Sequence, residues 1–271
     1  VSAHAQTLAW VSSEKDNAIS LVDLAQGKVT GSVPTCKRPR HMQLSADRKQ
    51  MLVACSDSNV ADVIDLATRK SVRHVALGDA PEIFDVSPDG KTFFVSNEDD
   101  AELSMVDAVD GRKIGQVKVG KEPEGVKVSP DGKTVFVTSE VANMVHVVDV
   151  ASKTIKKNIP VGKRPRRFAI TPNGQELWVT NELGASISVI SLKDYSVIAT
   201  IALQLKGARS TDITPVGLVM TRDGKRAYVT MGRANHVAFV DVASRQMTEQ
   251  VLVGKRPWSV ALNSDESKLY V

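Results

Sequence analysis

Aromatic residues make up only 4% of this 271-residue chain, and cysteine occurs just twice. Nucleic-acid surfaces stack bases on aromatic rings set within basic patches, so the scarcity of rings argues against nucleic acid as a partner. Basic clusters do occur, at Lys37-Arg38-Pro39-Arg40 and Lys163-Arg164-Pro165-Arg166-Arg167, but acids lie close by and the net charge is only +4. Long apolar runs are missing too. The longest are strand-sized pieces such as Val237 to Val240, too short for a membrane-spanning helix. No Cys-x-x-Cys-His tethers a haem, no cysteine pair has zinc spacing, and no Asp-x-Asp-x-Asp-Gly loop holds calcium. His4, His41, His74, His146 and His236 are too scattered to read as a metal cluster. Apolar spacing at i, i+3, i+4 is absent, which removes amphipathic helices.

What the chain does have is repetition. "VSPDGKTFFVSNEDD" runs from Val86 to Asp100, and "VSPDGKTVFVTSEVA" runs from Val128 to Ala142. Aligning this turn gives Ala46-Asp47, Pro88-Asp89, Pro130-Asp131, Pro172-Asn173, Arg222-Asp223 and Ser264-Asp265, at intervals of 42, 42, 42, 50 and 42 residues. A Val-Asp or Ile-Asp keeps the same phase at Val22-Asp23, Ile64-Asp65, Val106-Asp107, Val148-Asp149 and Val240-Asp241. Each unit holds four short runs rich in Val, Ile and Phe, separated by turn residues. In one unit they are Gly125 to Val128, Thr134 to Val137, Met144 to Val148 and Ile155 to Val161, with Pro130-Asp131-Gly132 reversing the chain between the first two.

Four antiparallel strands in about 42 residues is the period of a propeller blade. The middle strands are apolar on both faces. Val135 and Val137 oppose Phe136, so each sheet must be sandwiched between others. These features predict an all-β chain, a β-propeller of four-stranded blades forming a single domain over residues 7–271. Seven blades with the last one incomplete is the favoured count, since Leu269 to Val271 would otherwise compete with Leu8 to Val11 for one slot; six is the alternative. Residues 1–6 read either as a flexible start or as the remnant of a signal peptide, for which Ala3-His4-Ala5 is a cleavage-like triplet.

The phrases "FVSNEDDAELSMVD", "VGKEPEGVKVSPDGKTVFVTSE" and "VGKRPRRFAITPNGQELWVTNE" resemble the YVTN-type β-propeller repeat family, and within it the PQQ-dependent catabolism-associated β-propeller proteins. The resemblance spans about residues 7–271. It implies an exported, mainly periplasmic protein associated with quinoprotein alcohol oxidation, with no catalytic residues and no cofactor to carry over. The chain departs from the pattern at Met231-Gly232, where Asn-Glu is usual, and in an insertion at Leu203 to Thr214.

Strand polarity places two sets of loops on one mouth. Strand-four-to-strand-one loops carry Lys37, Arg38, Arg40, Lys163, Arg164, Arg166, Arg167, Lys255 and Arg256, interrupted by Glu82, Glu122 and Glu124. Strand-two-to-strand-three loops carry Glu14, Asp57, Glu98, Glu140 and Glu182 at one repeated position. Two readings stand. The charges pair between neighbouring blades and brace the loops, or they line a central funnel for a small anionic or carbonyl-bearing molecule. The funnel residues would be Arg38, Arg40, Glu98, Glu140, Arg164, Arg166, Glu182 and Arg256, with Trp258 as an aromatic wall. Cys36 and Cys55 flank one strand-one/strand-two hairpin and would form a disulfide if the protein is exported.

No nucleophile–base pair, metal cage or phosphate-binding glycine loop is present. The expected function is therefore a non-catalytic binding or scaffold propeller, periplasmic or secreted. Its partner would be a protein of an oxidation system or a small molecule. The alternative is a lactonase-like enzyme or a quinoprotein dehydrogenase subunit.

Overall fold

The computed structural model describes residues 7–271. The Ala3-His4-Ala5 triplet, and with it the reading of residues 1–6, lies outside the described residues. Five antiparallel four-stranded sheets span residues 39–76, 81–118, 123–160, 165–202 and 215–252, and a three-stranded sheet spans 8–34. The protein is an all-β propeller, and these sheets are the six blades found among the described residues. Strands follow chain order within every blade, as the 42-residue phase predicts. Six is the alternative count given above, beside the favoured count of seven with its last blade incomplete. Ala261–Leu262 and Leu269–Tyr270 pair over only two rungs, Ala261↔Tyr270 and Leu262↔Leu269, with no third strand beside them.

Contacts divide the chain into a first compact unit ending at Lys118 and a second running Val119–Val271. Each has its own apolar clusters. In the first, Phe84, Phe93, Val95, Leu52 and Val63 pack together from the second and third blades. In the second, Phe136, Val145, Val147, Leu177 and Val179 join the fourth and fifth. Val135, Phe136 and Val137 are all at most 1% exposed, so a middle strand is indeed covered on both faces. The insertion after the fifth blade holds one short helical turn, Ser210–Ile213, anchored by buried Ile213.

Strand one of each complete blade is bulged. Its register with strand two slips between Pro123 and Val126, Pro165 and Phe168, and Pro215 and Leu218 in the second unit. A bulge frees residues from the ladder and re-aims them. Here it lets one blade lean on the next through a strand-two threonine. Thr138 accepts the Gly125 N–H at 2.7 Å and donates to the Arg166 carbonyl at 3.2 Å. Thr180 accepts from Arg167 N–H at 3.1 Å and donates to the Val216 carbonyl at 2.9 Å. Thr230 repeats this with the Gly217 N–H at 2.7 Å and the Trp258 carbonyl at 3.4 Å. The backbones come so close that a Cβ on Gly217 would lie 2.7 Å from the Trp258 oxygen, and one on Gly125 would collide with the Arg166 oxygen.

The obstacle at Gly125 is backbone and not the end of a flexible side chain, so Gly125→Ala is expected to destabilise the protein by about 3 kcal/mol or more. The urea midpoint should fall accordingly, while Gly174→Ala, at a glycine with open space around it but a positive φ, should cost only about 1 kcal/mol.

Candidate functional site

The mouth loops are held by a latch that the turn chemistry creates. The residue before each strand-one proline lies in the left-handed region: Arg38, Ala80, Glu122, Arg164, Thr214 and Arg256. Such a conformation is costly for a residue carrying a Cβ and persists only where its surroundings enforce it. Part of that enforcement comes from an asparagine 21 positions earlier, itself left-handed, in the strand-two-to-strand-three turn. Asn17, Asn59, Asn143 and Asn235 accept the backbone N–H of Arg38, Ala80, Arg164 and Arg256 at 2.8–3.1 Å. The carbonyl of the same residue then accepts from the following blade; Arg164 O, for example, takes the Glu182 N–H at 2.8 Å.

In the second unit the latch and the bulge together converge the charges. Arg166 sits on the bulge with its side chain 5% exposed. It donates to Glu140, lies 3.2 Å from Glu124 Oε1, and its Nε is 3.6 Å from Glu182 Oε2. Arg164 spans the rim, with its Nε 2.6 Å from Glu140 and 3.3 Å from Glu182. Arg167 reaches Glu124 at 2.9 Å. Three guanidinium groups thus meet three buried carboxylates. Above them lies Trp258, 37% exposed, with its ring centroid 5.1 Å from the Arg166 guanidinium carbon, within range of a cation–π contact.

The first unit carries a smaller version. Arg40 Nη2 lies 2.7 Å from buried Glu82, and Arg38 lies 3.6 Å from both Glu14 and Asp57. Burial pulls the Arg38 pKa down, but the charges of Glu82, Glu14 and Asp57 more than reverse this and hold it above its ordinary value. The same unit joins Cys36 to Cys55 through a disulfide with a Cα separation of 5.7 Å.

Not every expected residue takes part. Glu98 is exposed and makes no ion pair among the described residues. Positions that hold Arg164 relative to Glu140 and Glu182 hold Glu122 and Ala80 relative to Glu98. Arg256 is exposed, its backbone N–H held by Asn235 and its guanidinium in no ion pair among the described residues. Glu82 and Glu124, which looked like interruptions of a basic ring, are instead the buried counter-charges. The asparagine latch and the threonine bridge went unread, although both recur in the repeat phase. His146 also carried no sequence signal, being one polar residue within an apolar strand.

His146 is 4% exposed. Its Nε2 receives the Gly120 N–H at 3.1 Å and lies 2.8 Å from Ser139 Oγ, so that nitrogen is the acceptor and Ser139 donates to it. Nδ1–H then donates to Asn158 Oδ1 at 2.6 Å. Burial lowers the His146 pKa, with the Asn158 bond working the other way. The neutral imidazole is therefore the folded form, and protonation would set one N–H against another. No group of His, Cys, Asp or Glu able to hold a metal ion occurs among the described residues, and none of their helices is long and apolar enough to cross a membrane.

Two predictions follow from this geometry. Arg166→Ala leaves buried carboxylates without their cation and should cost about 3–5 kcal/mol by urea unfolding, against about 1 kcal/mol or less for the exposed Arg256→Ala. A depressed histidine pKa contributes stability that is complete above the unfolded value of about 6.5 and is lost as pH falls through the folded value. Between about pH 7 and 5 the wild type should therefore lose up to about 1.4 kcal/mol per pH unit that His146→Gln does not.

No curated protein matches the chain at a significant level. Residues 4–83 match the family described as YNCE-like beta-propeller, and residues 126–271 match the family described as Lactonase, 7-bladed beta-propeller. Among solved structures, hydrazine synthase of Kuenenia stuttgartiensis is similar with a TM-score of 0.84 at 21% identity, covering 99% of this chain and 94% of that one. A functionally unknown protein from Desulfotomaculum acetoxidans DSM 771 gives 0.81 at 16% identity, with 98% and 88% covered. Dihydro-haem d1 dehydrogenase NirN in complex with DHE gives 0.68 at 16% identity, with 97% and 67% covered. At these identities the likeness is one of fold. The lactonase-family match takes in Arg164, Arg166, Arg167, Glu140 and Glu182, but not Glu124, and more than half of the chain. On that match, the chain belongs to the β-propeller family described as lactonase, 7-bladed.

Proposed function

We propose that this chain is an exported, non-catalytic β-propeller that acts as a binding accessory, with the rim around Arg164, Arg166 and Trp258 as its recognition surface. The observation that carries the reading is charge compensation. Every guanidinium of the buried cluster faces a carboxylate, so none stands ready to polarise a substrate carbonyl, and no carboxylate stands ready to activate water. A half-exposed Arg164 beside an exposed tryptophan suits recognition of a flat, anionic or carbonyl-bearing group, on a protein or as a small molecule. Export is supported by the Cys36–Cys55 disulfide, since such bonds persist in oxidising compartments. An alcohol-oxidation system of the quinoprotein kind is the partner setting suggested by the sequence resemblance.

A lactonase-like enzyme is the second reading, favoured by the family match over residues 126–271. In it Arg164 would polarise the lactone carbonyl and Glu140 or Glu182 would direct water. A panel of aliphatic and sugar lactones separates the two. The binding reading expects no hydrolysis above buffer, together with a raised melting temperature in the presence of organic acids or aldehydes that is lost in Arg164→Ala. Hydrolysis that disappears in a folded Arg164→Ala protein would overturn it in favour of the enzyme.

A further inference from the structure

Outside this cluster, the first unit holds a buried carboxylate whose partners lead to the disulfide. Asp62 is 1% exposed. Its Oδ2 accepts the Thr35 hydroxyl at 2.7 Å, and its Oδ1 accepts the Ser71 hydroxyl at 2.5 Å and lies 3.5 Å from His74 Nε2. Thr35 Oγ1 is in turn 3.7 Å from Cys36 Sγ and 3.9 Å from Cys55 Sγ. The His74 side chain is 54% exposed. A continuous path of titratable or hydroxyl groups therefore runs from solvent through His74, Asp62 and Thr35 to the sulfurs. The two cysteines are unequal, Cys55 being fully buried and Cys36 only partly so.

We infer that Cys36–Cys55 is a thiol-exchange centre, reduced by a dithiol, with Thr35, Asp62 and His74 as its proton relay. Attack falls on the less buried cysteine. A thiolate of the dithiol bonds to the accessible Cys36 Sγ, the S–S bond breaks, and its electron pair leaves on Cys55. A buried thiolate needs a proton. A proton from solvent first reaches Asp62 by way of His74; the Thr35 hydroxyl then gives its proton to Cys55 and takes that one from Asp62, which returns to a carboxylate. The second thiol of the reductant then displaces Cys36, leaving two protein thiols and an oxidised, cyclic reductant. Thr35 is suited to the first transfer. Its one hydrogen points to Asp62 while the bond is intact, and a disulfide sulfur has no hydrogen to offer it; a Cys55 thiol would.

The charged groups around the path are few. Lys37 and Arg38 follow Cys36, and Arg38 is engaged by Glu14 and Asp57. On the strand beyond Asp62, Arg73 is turned to the carbonyls of Ala108 and Val109. The neighbouring strand on the other side places Val53 opposite Asp62. His74 is thus the basic side chain that faces the carboxylate.

The test uses the whole oxidised protein and dithiothreitol. Reduction is followed as the mass gain on alkylation with iodoacetamide, with rates normalised to the thiolate concentration of the reductant. Reduction without denaturant is expected, about tenfold slower in Thr35→Val and in Asp62→Asn and restored in Thr35→Ser. His74→Gln should slow reduction to a similar extent. Equal rates in wild type, Thr35→Val and Thr35→Ser would overturn the proposal. So would a rate that rises with urea in step with global unfolding, since the disulfide would then be a buried staple.

Discussion

In the second unit the backbones of consecutive blades meet through one threonine hydroxyl, which accepts a hydrogen bond from its own blade and donates one to the next. Thr138, Thr180 and Thr230 do this in turn, and the spacing they set leaves no room for a Cβ at Gly125 or Gly217. The charged cluster depends on the contact directly. The carbonyl that Thr138 grips belongs to Arg166, so the bond that spaces two blades also fixes the stem of the central guanidinium.

A second constraint acts at the loop level. Left-handed residues before proline are unfavourable one at a time, yet the chain repeats them, and at Arg38, Ala80, Arg164 and Arg256 an asparagine amide oxygen supports the geometry by accepting the N–H. Together the bulge and the latch aim side chains from two neighbouring positions, such as Arg164 and Arg166, into one pocket of acids. Sign alternates between blades at the bulge: Arg40 meets Glu82 in the first unit, and Glu124 meets Arg166 in the second.

The blade boundaries were legible because hydrophobic alternation and the Ser-Pro-Asp-Gly turn share one period, and each signal confirms the other. Blade number was less so, since the two-rung ladder at residues 261–270 keeps the turn position of a complete blade. Within the site, Arg164, Arg166, Glu140 and Glu182 were readable as repeated mouth positions. Glu98 holds the same repeat position but stays exposed, because pairing depends on what stands 18 residues before and 24 after, not on its own identity. Trp258 was placed at the rim, though its stacking on a guanidinium depends on a three-dimensional approach that no local pattern records. Asp62 and His146 were invisible for a related reason: a polar residue within a strand looks like a break in the apolar pattern until its partners are known.

The neutralisation of Arg166 has a bearing on how anything approaches that rim. Opposite charges packed within a few ångströms cancel at distance, so the cluster projects little field into solvent and draws no ion in from afar. An incoming anion would have to exchange places with a glutamate instead of filling a vacancy. Encounter at that end should accordingly be slow, nearly insensitive to ionic strength, and governed by shape at contact.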